Sequence, residues 1–180
     1  MSSRIGAWIM AGAVLAAASA MHATPSARPT EGFRKEHAEI KEHLEHLHQT
    51  SGMMAKDDAA GQRKTAQFVV KFLKEHIVEH AKWEEEHLYS VVDKLTHAGE
   101  FPFTGSMRYE HRIIGRWIGE LEAAATAEAL DPVAFTRKTD RVLGLIAAHF
   151  EEEEEVLLPI LDARMTREEV EKELGMNPHR

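Results

Sequence analysis

The same helical stripe appears twice in this chain, each time built around a histidine, and that repetition leaves little freedom in how the chain can fold. Around His80 sit Leu73, Ile77, Glu84, Leu88 and Val91; around His149 sit Val142, Ile146, Glu153, Leu157 and Ile160. The offsets from the histidine are −7, −3, +4, +8 and +11 in both stretches, the spacing of residues that share one face of an α-helix. A second pair of stretches repeats as well. Glu36-His37 is followed by Ile40, Leu44 and Leu47, and Glu110-His111 by Ile114, Ile118 and Leu121. Each half is therefore a helix pair with one histidine on its first helix and one His-x-x-x-Glu on its second.

The punctuation between these stripes predicts four long helices. Thr30 can cap a first helix running to about Ser51, with Gly52 as its stop. Asp57 or Asp58 opens a second that runs to roughly His97 and is broken by the segment from Ala98 to Pro102. A third spans about Gly105 to Leu130, and Asp131-Pro132, a cap followed by proline at the first helical position, opens the fourth. Pro159 is expected to kink or end that helix, and Thr166-x-x-Glu169 is a capping box for a short terminal helix closed by Gly175. No stretch alternates with period two for long enough to suggest strands. The expected fold is all-α: an up-down-up-down four-helix bundle over residues 32–165, followed by a short C-terminal helix and tail at 166–180.

The first twenty residues read as something else. Arg4 precedes an apolar, alanine-rich run from Ile5 to Ala18, and Ala18-Ser19-Ala20 fits a small-x-small cleavage pattern, together a secretory signal peptide. A run of about 15 residues falls short of the ~20 needed to span a bilayer. Residues 21–31 then form a flexible leader, and the mature chain is expected to be soluble in the periplasm or secreted. The formal net charge of −8 argues against a nucleic-acid partner. With no cysteine, disulfides, thiolate metal sites and cysteine nucleophiles are closed to this chain. Its 12 histidines leave imidazole and carboxylate chemistry open.

The repeat selects particular histidines from the twelve. Residues four apart on a helix lie one above the other, so His80 with Glu84 and His149 with Glu153 each present an imidazole and a carboxylate on one face. Their stripe neighbours are Leu, Ile and Val, so that face points inward. A buried ionised glutamate is costly unless it is paired or binds a metal. His37, His80, His111 and His149 with Glu84 and Glu153 supply four nitrogens and two carboxylates, enough for two ions with the glutamates bridging. That donor set points to iron, with manganese or zinc behind it. The competing reading, a solvated stripe with neutral core histidines, conflicts with an apolar register that recurs in both halves. His76, one turn before His80, can offer a fifth nitrogen, although its counterpart Leu145 is apolar. Glu36 and Glu110 lie about 100° around the helix from the histidines they precede and read as surface residues. His43, His46, His48 and His87 read as a solvated face, and Trp83, Trp117, Phe68 and Phe72 as core.

The pattern His37, His80-x-x-x-Glu84, His111, His149-x-x-x-Glu153 resembles the hemerythrin-like, or HHE cation-binding, domain. The segments HFEEEEEVLLPIL and HAKWEEEHLYSVV resemble that family's histidine-glutamate helices, with Ser90 where Pro159 stands in the other half. The resemblance implies a non-heme di-iron centre that meets dioxygen or nitric oxide at an open coordination position. Classical oxygen carriers have a further histidine one turn along the third helix, where this chain has Gly115. The four-histidine set is nearer to relatives linked to nitric oxide stress, but those carry an N-terminal segment with cysteines that this chain lacks. Three functions follow as expectations. The first is non-enzymatic binding of dioxygen or nitric oxide for storage, delivery or sensing. The second is a di-iron redox enzyme acting on peroxide, oxygen or nitric oxide, for which His76, Tyr89 or Tyr109 can supply a polar group near the ions. The third is periplasmic metal buffering. The sequence does not identify a redox partner.

Overall fold

The computed structural model describes residues 28–97 and 99–175. The signal-peptide reading at residues 1–20 and most of the leader lie outside the described residues. Five helices make up the described chain: α1 (Glu31–Met53), α2 (residues 59–95), α3 (Gly105–Thr126), α4 (residues 132–164) and α5 (Arg167–Leu174). There is no strand among the described residues, as the absence of a period-two pattern predicts.

Several of the helix starts are set by side chains that the sequence marks. Asp58 accepts from the backbone N–H of Gly61, and Asp131 from those of Val133 and Ala134, with Pro132 in the first turn. Thr166 and Glu169 form the expected capping box of α5. Thr30 behaves differently. Its hydroxyl makes no cap bond to α1. Instead its N–H and Oγ1 both donate to Asp162 Oδ1 at the far end of α4, at 3.0 and 2.8 Å. The same device recurs at the start of α3, where the N–H and Oγ1 of Thr104 donate to Asp93 near the end of α2, each at 3.0 Å. Arg34 adds an ion pair to Asp162 at 3.3 Å, and Arg108 one to Asp93 at 3.7 Å.

These clamps set the topology. The start of α1 is tied to the end of α4, and the start of α3 to the end of α2. At the opposite end of the bundle, Arg63 of α2 donates to the carbonyls of Ala125 in the last turn of α3 and of Ala127 and Glu128 just beyond it, and Thr136 of α4 donates to the Ser51 carbonyl of α1. Consecutive helices are thus antiparallel, and α1 and α3 each pack against both α2 and α4, which gives the up-down-up-down bundle.

The interior divides into two apolar clusters. One, with Leu44, Leu47, Leu73, Ile77, Ile114, Ile118, Phe135 and Ile146, fills the end nearer the α1–α2 turn. The other, with Phe33, Trp83, Leu88, Val92, Met107, Leu157 and Leu161, fills the opposite end, where α5 covers it with Val170 and Leu174. Each long helix passes from one cluster to the other at its repeat histidine.

Some boundaries differ from expectation. Gly52 does not stop α1, which continues to Met53 and then tightens into a 3₁₀ turn at Met54–Lys56; one exposed glycine costs only about 1 kcal/mol and a packed helix overrides it. α2 gives way to a turn at Thr96 and His97, and α3 ends at Thr126, short of Leu130. Pro159 neither kinks nor ends α4 at its own position. A wide π-turn at Glu153–Leu157 precedes it, leaving Pro159 in the first turn of the closing segment Leu158–Arg164, where a missing N–H is tolerated. α2 has the matching π-turn at Glu84–Leu88 without a proline, so the turn belongs to the glutamate position rather than to Pro159. Phe68, expected in the core, is half-exposed on α2.

The clamps are buried enough to matter, since Arg34 and Asp162 are each more than four-fifths shielded. Asp162→Ala removes two hydrogen bonds and an ion pair at once, and is expected to lower unfolding stability by about 2 kcal/mol. A urea midpoint equal to that of the parent chain would show that the clamp carries no net energy.

Candidate metal centre

The six residues picked out by the repeat converge between the two apolar clusters. Glu84 and Glu153 are 0% exposed, and His37, His80, His111 and His149 are 0%, 3%, 8% and 2% exposed. Their inner atoms form two sets. In the first, His80 Nε2 lies 2.8 Å from Glu84 Oε1, and His37 Nε2 lies 3.6 Å from that oxygen and 3.5 Å from Glu153 Oε2. In the second, His111 Nε2 lies 3.4 Å from Glu84 Oε2, His149 Nε2 lies 3.6 Å from Glu153 Oε1, and the two nitrogens are 2.8 Å apart. Each glutamate therefore offers one oxygen to each set. Both glutamates also begin a π-turn, the kind of helix irregularity that collects at functional sites.

Every one of these histidines is oriented from behind by a carboxylate. His37 Nδ1 faces Glu154 at 3.2 Å, His80 Nδ1 faces Glu36 at 3.3 Å, His111 Nδ1 faces Glu85 at 3.0 Å and His149 Nδ1 faces Glu110 at 2.8 Å. A nitrogen against a carboxylate carries the proton, so in the neutral ring Nε2 keeps its lone pair and points it inward. This corrects the reading of Glu36 and Glu110 as surface residues. They do turn away from the histidines beside them, but that direction points across the helix interface to the histidine of the neighbouring helix. Glu85 and Glu154, the residues after the inward glutamates, do the same across the boundary between the halves. Lys41 and Arg108 partly balance this outer ring, at 2.9 Å from Glu154 and 3.7 Å from Glu85.

The inner atoms are short of partners. His37 Nε2, His80 Nε2, both oxygens of Glu84 and Glu153 Oε2 are buried with no hydrogen bond. The lone pairs of His111 and His149 face each other at 2.8 Å. Buried polar atoms are rarely left so, and a cation in each set satisfies all of them. Metal–nitrogen bonds of about 2.1 Å put neighbouring donor atoms about 3 Å apart, close to the separations seen. His37, His80, Glu84 and Glu153 form one group able to hold an ion, and Glu84, His111 and His149 another.

Electrostatics tell the same story from the other side. Burial and the adjacent Glu84 push Glu153 well above the usual carboxylate range. Burial opposes ionisation of Glu84 too, but His80, His111 and His37 hold its carboxyl well below the usual value. Burial disfavours charge on His80, yet Glu84, Glu36 and Glu153 carry its pKa well above the ordinary one; at His149 burial, with His111 beside it, outweighs Glu84 and Glu110 and lowers the pKa. Two fully buried carboxylates side by side do not both ionise without a compensating cation. In the metal-free chain protons play that part.

Of the three candidate polar groups Tyr89 meets the site and His76 and Tyr109 do not, and Phe150 meets it as well. Tyr89, fully buried, donates its hydroxyl to Glu153 Oε1 at 2.6 Å and lies 3.2 and 3.3 Å from the Nε2 atoms of His111 and His149. Burial and the charges of Glu84 and Glu153 push its pKa up, so without metal it is a phenol. Phe150 stacks on the His37 ring at 4.3 Å and seals the first set. Where Phe150 stands in α4, α2 has Ala81, and a cleft of about 280 Å³ opens there between α2 and α3, lined by Ala81, His111 and Gly115. His76 is exposed and packs on Phe72 at 4.4 Å, and Tyr109 is exposed under Arg112; neither reaches the site.

The outer carboxylates yield a sharp comparison within one acidic run. Glu154→Ala frees the His37 ring and is expected to weaken metal binding by about 10–100-fold, while Glu155→Ala, one residue on and exposed, leaves it unchanged. Competition against a coloured chelator reads both constants, and equal affinities would remove the orienting role.

No curated protein and no solved structure matches the chain. The hemerythrin HHE cation-binding domain matches residues 28–161, a span that contains all six inner residues and the four carboxylates behind them. With the two buried histidine–glutamate groups, that match makes this a metal-binding helical bundle, and the chain belongs to the hemerythrin HHE cation-binding family.

Proposed function

We propose that this protein holds two iron ions in a non-heme centre, with Glu84 and Glu153 bridging, and that it binds dioxygen or nitric oxide there. The observation that carries this reading is the division of both carboxylates between the two donor sets, one oxygen to each. His37 and His80 would hold one ion and His111 and His149 the other. A mixed imidazole–carboxylate set suits iron, with manganese or zinc as lesser alternatives. When bound, ferrous iron supplies the open coordination position and the electrons that such diatomic ligands require. The chain supplies the rest. Four carboxylates fix the imidazoles, and the apolar clusters on either side exclude bulk water and larger substrates. The export expected from residues 1–20 would place this activity in the periplasm or outside the cell. Among the described residues no helix is long and apolar enough to cross a membrane.

A second reading, redox turnover of peroxide, oxygen or nitric oxide, draws on Tyr89, a phenol held against the second set. Consumption of peroxide or nitric oxide by the pure protein separates it from simple binding. Metal buffering draws little from the surface: His48 is paired with Asp140 at 2.9 Å, His43 packs on Phe72 and His87 on Trp83.

The test is iron content together with the absorption spectrum of reduced protein cycled between argon and air. Two irons per chain and a reversible spectral change are expected for a binder; irreversible oxidation moves the assignment to redox chemistry. Glu84→Ala and Glu153→Ala should each lose most of the iron, and full retention of two irons in both variants would sink the bridging assignment.

A further inference from the structure

The two halves match so closely that the places where they differ are informative. Thr30, Arg34, Glu36 and His37 correspond to Thr104, Arg108, Glu110 and His111, and His80, Glu84, Glu85 and Asp93 to His149, Glu153, Glu154 and Asp162, each pair making equivalent contacts. The match fails at the ninth residue after the second histidine. In α4 that residue is Leu158, and in α2 it is Tyr89, both 0% exposed. One donor set therefore has a phenol beside it where the other has an aliphatic side chain.

That phenol has more neighbours than it can serve. Its single proton goes to Glu153 Oε1 at 2.6 Å. His111 Nε2 and His149 Nε2, at 3.2 and 3.3 Å, have their ring protons turned outward to Glu85 and Glu110. Both present lone pairs to the phenol oxygen, which has no second proton to offer. Three electron-rich atoms thus surround the phenol oxygen at 2.6 to 3.3 Å, distances that match those between neighbouring ligands around a single point holding an ion. The ring is fixed to serve that point, stacked on His111 with centroids 5.3 Å apart and covered by the Arg108 guanidinium at 5.2 Å. Gly115, one turn after His111, contributes no donor.

We infer that Tyr89 is itself a ligand, its oxygen bound to the ion held by His111 and His149. This rests on the di-iron reading above and deepens it. The phenolic proton leaves as the ion enters, as the protons of metal ligands do. The second ion then has five protein donors and the first, held by His37, His80, Glu84 and Glu153, has four. The centre is therefore built unequal. The first ion has the fewer protein donors, and the anionic phenolate favours the oxidised state of the second.

The experiment compares the full-length parent and Tyr89→Phe, both loaded with iron under argon and then oxidised. Iron content, visible absorption and resonance Raman spectra excited within the visible band are recorded. The parent should hold two irons and show a visible charge-transfer band with enhanced tyrosinate ring vibrations. Tyr89→Phe should keep two irons, lose both signals and show a higher reduction potential. Two irons without tyrosinate vibrations in the parent, or with those vibrations intact in the variant, would overturn the ligand assignment and leave the di-iron reading standing. Fewer than two irons in the parent would overturn both. A phenol that only donates to Glu153 gives no tyrosinate signal, so the parent's spectrum alone decides between the two roles.

Discussion

Two fully buried carboxylates lie side by side in the middle of a helical bundle, and among the described residues their charged neighbours are histidines rather than lysine or arginine. That placement governs the rest of the structure. Desolvating an ionised carboxylate costs several kcal/mol even after relaxation, and Glu84 and Glu153 are both fully buried. The bundle meets this cost by gathering four imidazoles around the pair, whose inner nitrogens and the carboxylate oxygens together form a donor set for cations. Without metal, burial and the adjacent Glu84 make Glu153 the harder of the two to ionise, while Glu84 is set against His80. With cations in both donor sets, each orphaned atom has a partner. Metal binding is in this sense the completion of the fold.

The internal repeat explains how so many groups are held with so few kinds of contact. Within each half, the glutamate before the first histidine orients the second histidine: Glu36 serves His80 and Glu110 serves His149. Between halves, the residue after each inward glutamate orients the other half's first histidine: Glu154 serves His37 and Glu85 serves His111. The threonine–aspartate clamps also run both ways, with Thr104 held by Asp93 of the preceding helix and Thr30 by Asp162 at the far end of the chain. Neither half can place its own ligands without the other. Pairing across the halves thus ties the geometry of the site to the assembly of the whole bundle.

How much of this was legible depended on whether a single helix contained the information. The register of Leu, Ile and Val around His80 and His149 fixes which way their stripe faces, so the six inner residues could be read from spacing alone. The outer carboxylates could not. Helical periodicity gives the direction in which Glu36 leaves its own helix, and that direction was read correctly; what it meets there depends on the packing of the neighbouring helix. A signal was nevertheless present, because Glu-His and Glu-Glu pairs recur at matching positions in both halves, as do Thr30 and Thr104, Arg34 and Arg108, and Asp93 and Asp162. Tyr89 was one of three candidate polar groups and could not be told from His76 and Tyr109, because it occupies a core position filled by Leu158 in the other half, where an aromatic also reads as packing. Gly52 and Pro159 misled because local propensity is a weak term beside the burial of a long apolar face.

The places where the repeat is broken bear on what a symmetric centre can do. Two ions in identical surroundings have the same potential and the same open position, so a diatomic ligand has no preferred end. Here the departures fall on different sides. Phe150 covers His37 in one half, where Ala81 leaves a cleft beside His111 in the other. Tyr89 adds a polar group to the second set only, and Glu153 alone of the two glutamates accepts a hydrogen bond from it, Glu84 having none. Each departure concerns a residue that no longer has to match its counterpart once the clamps and the outer carboxylates hold the frame. The repeat therefore supplies the rigid scaffold, and the few unmatched residues make the two donor sets unequal.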